Sequence, residues 1–187
     1  SYLDTLEKLR PGINLAGLVG HSAVRYYVMG DRSFADQATA AEKAQMAAIV
    51  AKAIDDGAVG FSTNRFAPHK APDGRSIPGT FADPAELVEI NKAVSSRKAL
   101  MQAVGATGDV LATIADQPGS RVLFSYGIGP SKGDGKRGVE GLEKLCGGRD
   151  MTAILQVKGT GFMFGLQCSL PFRCETWDKV RAMDLKG

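Results

Sequence analysis

The feature that most constrains this chain is an alternation. Short apolar runs are separated by stretches that carry the marks of helices, and the pattern repeats about five times. Residues Ile13 to Val19 form an apolar run ending at Gly20, which reads as a buried strand. Ala58 to Ser62, Ala99 to Val104, Arg121 to Tyr126 and Met151 to Val157 read the same way. Between them lie helix signals. Thr39-Ala40-Ala41-Glu42 has the spacing of a capping box, in which the Thr hydroxyl and the Glu carboxylate each satisfy an orphan N–H at a helix start. Met46, Val50, Ala53 and Ile54 then share one face, and Gly57 supplies a left-handed stop.

The same grammar recurs downstream. Asp83-Pro84-Ala85-Glu86 offers an N-cap, a proline at the first helical position and an acid in the first turn, ahead of an apolar stripe at Leu87, Ile90 and Val94. Thr107 caps a short helix carrying Val110, Leu111 and Ile114, which stops before Pro118-Gly119. Val139, Leu142 and Leu145 mark a further helix, stopped at Gly147-Gly148, and Glu175 to Met183 a last one around Trp177. Apolar strands joined by helical crossovers imply a parallel sheet covered on both faces. Two architectures fit: an open doubly wound sheet, or part of a (β/α)8 barrel. A whole barrel takes about 250 residues, with 200 near the minimum, so 187 residues hold only part of one. No linker-like stretch divides residues 1–187, which read as one structural unit.

Composition narrows the function classes. Hydrophobic residues are 44% and charged residues 23% of the chain, ordinary globular values that exclude intrinsic disorder. The 23 glycines exceed the roughly 7% expected of an average protein, as suits a chain of many βα turns. No apolar run is long enough to span a membrane, and the first residues carry charge too early for a signal peptide. A net charge of +3, with no basic stretch interleaved with aromatics, points away from nucleic acid. Cys146, Cys168 and Cys174 have neither disulfide-framework nor zinc-knuckle spacing, so a reducing cytoplasm is the expected compartment.

Two tempting motifs fail. In the glycine-rich stretch from Gly127 to Arg137, Pro130 stands where a phosphate loop needs glycine, and Arg137 where it needs Ser or Thr. The dinucleotide fingerprint fails at Lys132, leaving a flexible βα connection. No nucleophile elbow of the G-x-S-x-G type is present.

Three segments together resemble a known family. They are Ile13-Asn14-Leu15-Ala16-Gly17-Leu18-Val19-Gly20-His21-Ser22-Ala23-Val24-Arg25 with Val28-Met29-Gly30; Ala53 to Thr63 continuing to Pro78-Gly79-Thr80-Phe81-Ala82 and Glu86-Leu87; and Gly161 to Leu166 with Pro171-Phe172. They are similar to the N-acyl-D-amino-acid deacylase (D-aminoacylase) branch of the amidohydrolase superfamily, in which an LVGHG-x-x-R segment and a G-A-x-G-x-S segment recur at a similar separation. The resemblance implies an α/β chain forming part of a (β/α)8 TIM barrel of the metal-dependent hydrolase type, an internal piece of a longer protein. It implies hydrolysis of an amide bond, with an N-acyl amino acid as the small-molecule partner and zinc as cofactor. The other barrel strands, or further copies of the chain, would be its protein partners. The family's early H-x-H pair and late catalytic Asp have no counterpart in this chain. The strands Leu100–Val104 and Leu123–Tyr126 lack the histidines of the family's later strand ends, so no metal ligand is carried over. A pseudoenzyme, or a non-catalytic α/β domain that binds a small anion, therefore stands as the alternative.

Candidate site residues follow from their place at strand ends, where a parallel barrel keeps its chemistry. His21 ends a strand and is the candidate catalytic or substrate-contacting group, against a helix cap or a packed histidine. Arg25 lies on the same helical face and reads as a structural ion pair. Ser62, with Thr63 and Asn64, ends the second strand, as a ligand contact or a turn former. Residues 65–82 form a long basic loop in which Arg65 or Arg75 is placed to fork onto a substrate carboxylate; a solvated loop is the alternative. Gln102, where the family places a strand-end ligand, reads as polar lining, because a neutral amide is a poor zinc ligand.

Overall fold

A computed structural model of the chain describes residues 2–127 and 133–155, together with positions 175, 176 and 179. Twelve elements follow in order: α1 (Tyr2–Leu9), β1 (Leu18–Gly20), α2 (His21–Met29), a 3-10 turn (Gly30–Phe34), α3 (Ala40–Asp55), β2 (Gly60–Asn64), α4 (Pro84–Ser95), β3 (Leu100–Val104), α5 (Gly108–Ala115), β4 (Val122–Tyr126), α6 (Asp134–Cys146) and β5 (Met151–Leu155). The expected helix over Glu175–Met183, the end of the Met151–Val157 strand, Cys168 and Cys174, and the third family-like segment lie outside the described residues, wholly or in part.

The strands form one sheet in the order β1-β2-β3-β4-β5, and every neighbouring pair is parallel. That order decides between the two architectures. A doubly wound sheet reverses its strand order at a switch point, whereas a barrel wall adds each strand beside the last. Here each new strand lies beside its predecessor, and α2, α3, α4 and α5 pack in succession along a single helical layer.

Strand alternation then fixes the core. Phe61 and Thr63 on β2, Met101 and Ala103 on β3, and Val122 and Phe124 on β4 face the helices and are buried. They meet Met46 and Val50 of α3, Leu87, Ile90 and Val94 of α4, and Leu111 and Ile114 of α5 in one apolar cluster. The alternate residues Ser62, Asn64, Gln102, Leu123, Ser125 and Thr152 lie on the other face, half-buried or exposed. The expectation of cover on both faces is thus met on one face only among the described residues.

Local chemistry explains most of the boundaries. The Thr39 capping box forms as its spacing requires, with Thr39 Oγ1 accepting from the Glu42 N–H and Glu42 accepting from the Thr39 N–H. At the other end of α3, the Ala58 N–H bonds the Ala53 carbonyl and the Gly57 N–H bonds the Ile54 carbonyl, with Gly57 at φ +116°. This is a Schellman turn of the kind glycine favours. It also shortens β1. Because the turn occupies residues up to Ala58, β2 offers backbone partners only from Val59 onward, whose N–H bonds the Gly17 carbonyl. The strand expected from Ile13 therefore begins at Leu18, and Ile13 and Leu15 are 71% and 51% exposed. No helix among the described residues is long and apolar enough to cross a membrane.

Candidate functional site

The C-terminal ends of β1 and β2 carry the densest polar chemistry. β1 stops at Gly20 and α2 starts at once with His21, without a side-chain cap. The helix turns the His21 ring onto the covered side, where it is 2% exposed. Its Nε2 donates to Glu86 Oε1 at 2.7 Å, and its Nδ1 accepts from Thr63 Oγ1 at 2.9 Å. Arg25, one turn along α2, donates through Nε to the same Glu86 oxygen at 2.9 Å, through Nη2 to the Asp36 carbonyl at 2.7 Å, and through Nη1 to the Ser33 carbonyl. Glu86 sits in the first turn of α4, where the helix dipole favours a carboxylate. Its Oε2 is buried with no hydrogen-bond partner among the described residues.

The charge states follow from these contacts. Burial pushes the His21 pKa down from 6.5, and the opposing pull of Glu86 does not overcome it, so the ring is neutral with its proton on Nε2. Burial alone would raise the Glu86 carboxyl; the His21 and Arg25 bonds more than offset it and hold Glu86 ionised below its ordinary range. The cluster is then a buried Arg25–Glu86 ion pair bridged by a neutral imidazole. Hydroxyl, imidazole and carboxylate lie in the sequence of a nucleophilic triad. Thr63, however, is fully buried against the helices, so its hydroxyl cannot meet a substrate.

The loop from 65 to 82, expected as a long basic segment, is tied down along its length. The Arg65 N–H bonds the Val104 carbonyl at 2.8 Å, and the Arg65 guanidinium donates to the Ala82 carbonyl at 2.7 Å. Asn64 donates to His69 Nδ1 and accepts from the Phe66 N–H. Lys70 and Ser76 form an antiparallel bridge, and Ser22 Oγ donates to the Pro78 carbonyl at 2.8 Å. Gly79, at φ +93°, lies against the His21 ring so closely that a Cβ there would stand 2.6 Å from Nδ1.

The structure sorts the expected site residues into four groups. Ser62 and Gln102 come together: they are register partners on the open face, and Ser62 pairs in turn with Gly20. Arg65 follows β2 directly. Burial lowers its pKa, opposed by Asp109, Glu86 and Asp83, and it pairs with no carboxylate among the described residues. Arg75 stands apart. It is bonded to Asp73 and Asp31, lies 3.7 Å above the Phe34 ring, and lines an open cleft of about 520 Å³ with Arg32 and Phe81. His21 is on the opposite face of the sheet from Ser62 and Gln102. The sequence reads Thr63 as a ligand contact or turn former and Glu86 as a helix-start acid, and gives neither of them, nor Gly79, a place around His21. The alternation that turns Ser62 outward does turn Thr63 inward, but a first-turn glutamate such as Glu86 normally faces solvent.

Comparison with known proteins gives this geometry its context. No protein-family model matches the sequence. An N-acyl-D-glutamate deacylase of Alcaligenes xylosoxydans xylosoxydans is 35% identical over 133 residues, which is 67% of this chain and 25% of that protein. A D-aminoacylase of the same organism is 35% identical over 95 residues, 51% of this chain and 17% of that protein. The crystal structure of N-acyl-D-glutamate deacylase from Bordetella bronchiseptica superposes with a TM-score of 0.64 at 26% identity, over 81% of this chain and 32% of that one. The chain is related to the D-aminoacylase-like amidohydrolases. It spans about a quarter of the length of the first of these relatives, and its five parallel strands match part of a deacylase barrel.

Against this amidohydrolase relationship, the donor set is the notable departure. The Bordetella enzyme is complexed with zinc and a phosphonate inhibitor that mimics the tetrahedral intermediate. Among the described residues of this chain, no three His, Cys, Asp or Glu side chains come together as metal ligands. Both His21 nitrogens are committed to Glu86 and Thr63, His69 Nδ1 is committed to Asn64, and the open-face strand positions carry amides, hydroxyls and apolar side chains such as Leu123. Imidazole, thiolate and carboxylate are the groups zinc takes. The described residues therefore do not fit a zinc site.

Proposed function

We propose that residues 1–187 form part of the (β/α)8 barrel of a hydrolase that cleaves N-acyl-D-amino acids, with the open sheet face as the barrel interior. The observation that carries this reading is the unbroken parallel order β1 to β5 with its helices on one side, superposing on a deacylase barrel. Zinc, where the reading requires it, is held by groups other than the described residues, and this chain binds and orients substrate. The Ser62 hydroxyl and the Gln102 amide present neutral donors and acceptors to the substrate amide. Arg65 is the better candidate for the substrate carboxylate, because Arg75 already has its charge balanced by Asp73 and Asp31. The test is turnover of N-acyl-D- and N-acyl-L-amino acids by the full-length protein, with its zinc measured. Stoichiometric zinc and D-selective release of the free amino acid support the proposal.

A second reading has its own support. The neutral residues at the ends of β3 and β4, where the family's histidines are expected, favour a non-catalytic protein that binds a small carboxylate. A full-length protein free of metal, without turnover, that binds N-acyl amino acids replaces the hydrolase reading with this one.

A further inference from the structure

We propose that His21 is a positioning residue, which through Thr63 and the 65–82 loop sets the orientation of the β2 rim residues that face the barrel interior. Thr63 lies between Ser62 and Asn64, so the bond from its hydroxyl to His21 Nδ1 fixes the segment whose alternate side chains look the other way. The second ring nitrogen anchors the imidazole to Glu86 on α4. The ring face meets Gly79, and the neighbouring Ser22 holds the Pro78 carbonyl, so the return arm of the loop is seated on the same residue pair. The outgoing arm starts at Arg65, whose guanidinium closes on the Ala82 carbonyl. One imidazole therefore touches β2, α4 and the return arm of the loop, and the Arg65–Ala82 bond ties the outgoing arm to that return arm.

The chemistry of the cluster suits this role. The charged groups facing the ring are Glu86 on α4, Arg25 on α2 and Arg65 after β2. Arg25 and Glu86 neutralise one another, leaving the imidazole neutral, with one donor and one acceptor both in use. A ring with no free nitrogen and 2% exposure cannot pass a proton to a substrate. It can hold two elements at a fixed separation, and a lysine or arginine there would add an unmatched buried charge.

The kinetic part of the test rests on the hydrolase reading; the exchange part does not. In the full-length protein, His21→Asn and Thr63→Val are compared by amide hydrogen exchange. Exchange over residues 60–66 and 77–82 is expected to speed by about tenfold, the local opening from one lost buried hydrogen bond, with β3 and β4 unchanged. His21→Gln, whose amide N–H reaches toward Glu86 in place of Nε2, recovers part of that protection. Uniform acceleration across the sheet, or none, overturns the proposal. With an N-acyl-D-amino acid as substrate, both variants are expected to raise KM by about tenfold with kcat little changed and zinc content intact. Loss of kcat at unchanged KM, or loss of zinc, overturns positioning in favour of direct catalysis or ligation. A wild-type protein without turnover removes the hydrolase reading, and the exchange result then decides the positioning role alone.

Discussion

On the helix-covered face of the sheet, Phe61, Met101, Val122 and Phe124 pack in an apolar layer, and the charges that enter it, Arg25 and Glu86, arrive already matched. On the open face, Ser62, Asn64, Gln102, Ser125 and Thr152 stand in adjoining rows, neutral to a residue. The charged cluster is the one whose bonding capacity is nearly consumed inside the protein. Apart from Asn64, which is bonded to His69 and Phe66, the side chains of the uncharged rows have theirs available among the described residues. Buried charge and perturbed pKa values are a guide to function only when some capacity is left over, and here they mark the part that holds the rim in place.

The sharpest way to break this contrast is to cut into each face separately. Phe124→Ala on the covered face should cost about 3–5 kcal/mol, the transfer term plus the cavity it leaves, in denaturant unfolding of the full-length protein. Asn91→Ala should cost about 1–3 kcal/mol. The Asn91 amide donates to the Ile114 carbonyl at the end of α5 and to Ser120 Oγ, and its loss removes both buried bonds, leaving the Ile114 carbonyl to its backbone partners at the helix end. If either substitution is silent, the covered face is not the core described above.

The acid response belongs to the same face. The folded His21 pKa lies below its unfolded value of 6.5, so as pH falls the unfolded chain takes the proton first. The stability His21 contributes is present above about pH 6.5 and is lost below it. Glu86 acts in the same direction at lower pH, because its folded pKa is also depressed. Unfolding midpoints should therefore fall as pH drops from 7 to 5, and His21→Asn should flatten that part of the curve. An equal slope in the variant would assign the response elsewhere. Among the described residues the open strand face has no titratable group to supply it.

Much of this architecture was legible beforehand, for identifiable reasons. Capping chemistry is local, so Thr39-x-x-Glu42, Asp83-Pro84 and Gly57 announced the ends of α3 and α4 with no knowledge of the fold. Thr39→Ala should accordingly cost about 1 kcal/mol in thermal unfolding. Apolar runs announced β2 to β5, but they could not say where pairing would start, and β1 lost its first residues to a turn more than thirty residues away. α2 carries no cap signal, so His21 read as the end of a strand when it is the start of a helix. That one shift moves its side chain from the open rim to the covered face. The partners of His21 were illegible for a different reason. Thr63 and Glu86 are 42 and 65 residues distant; alternation turns Thr63 inward but does not say what it meets, and Glu86 has no local feature that tells a buried carboxylate from a solvated one.

The smallest expected effect on stability is also the most discriminating for function. Gln102 lies on the open face, half-buried, between Ser62 and Leu123 in the sheet register. Gln102→Ala removes no buried apolar contact of the core and should shift unfolding by no more than about 0.5 kcal/mol. Because the same amide faces the proposed barrel interior, the substitution should nonetheless weaken binding of an N-acyl-D-amino acid, measured calorimetrically with the full-length protein. A truncated hydrogen-bonding group at a buried ligand contact costs about 1 kcal/mol, or several-fold in affinity. Unchanged affinity would move the ligand away from the Ser62–Gln102 row. A large loss of stability instead would mean that the open face is packed against something, and that the two faces of the sheet are less different than their residues imply.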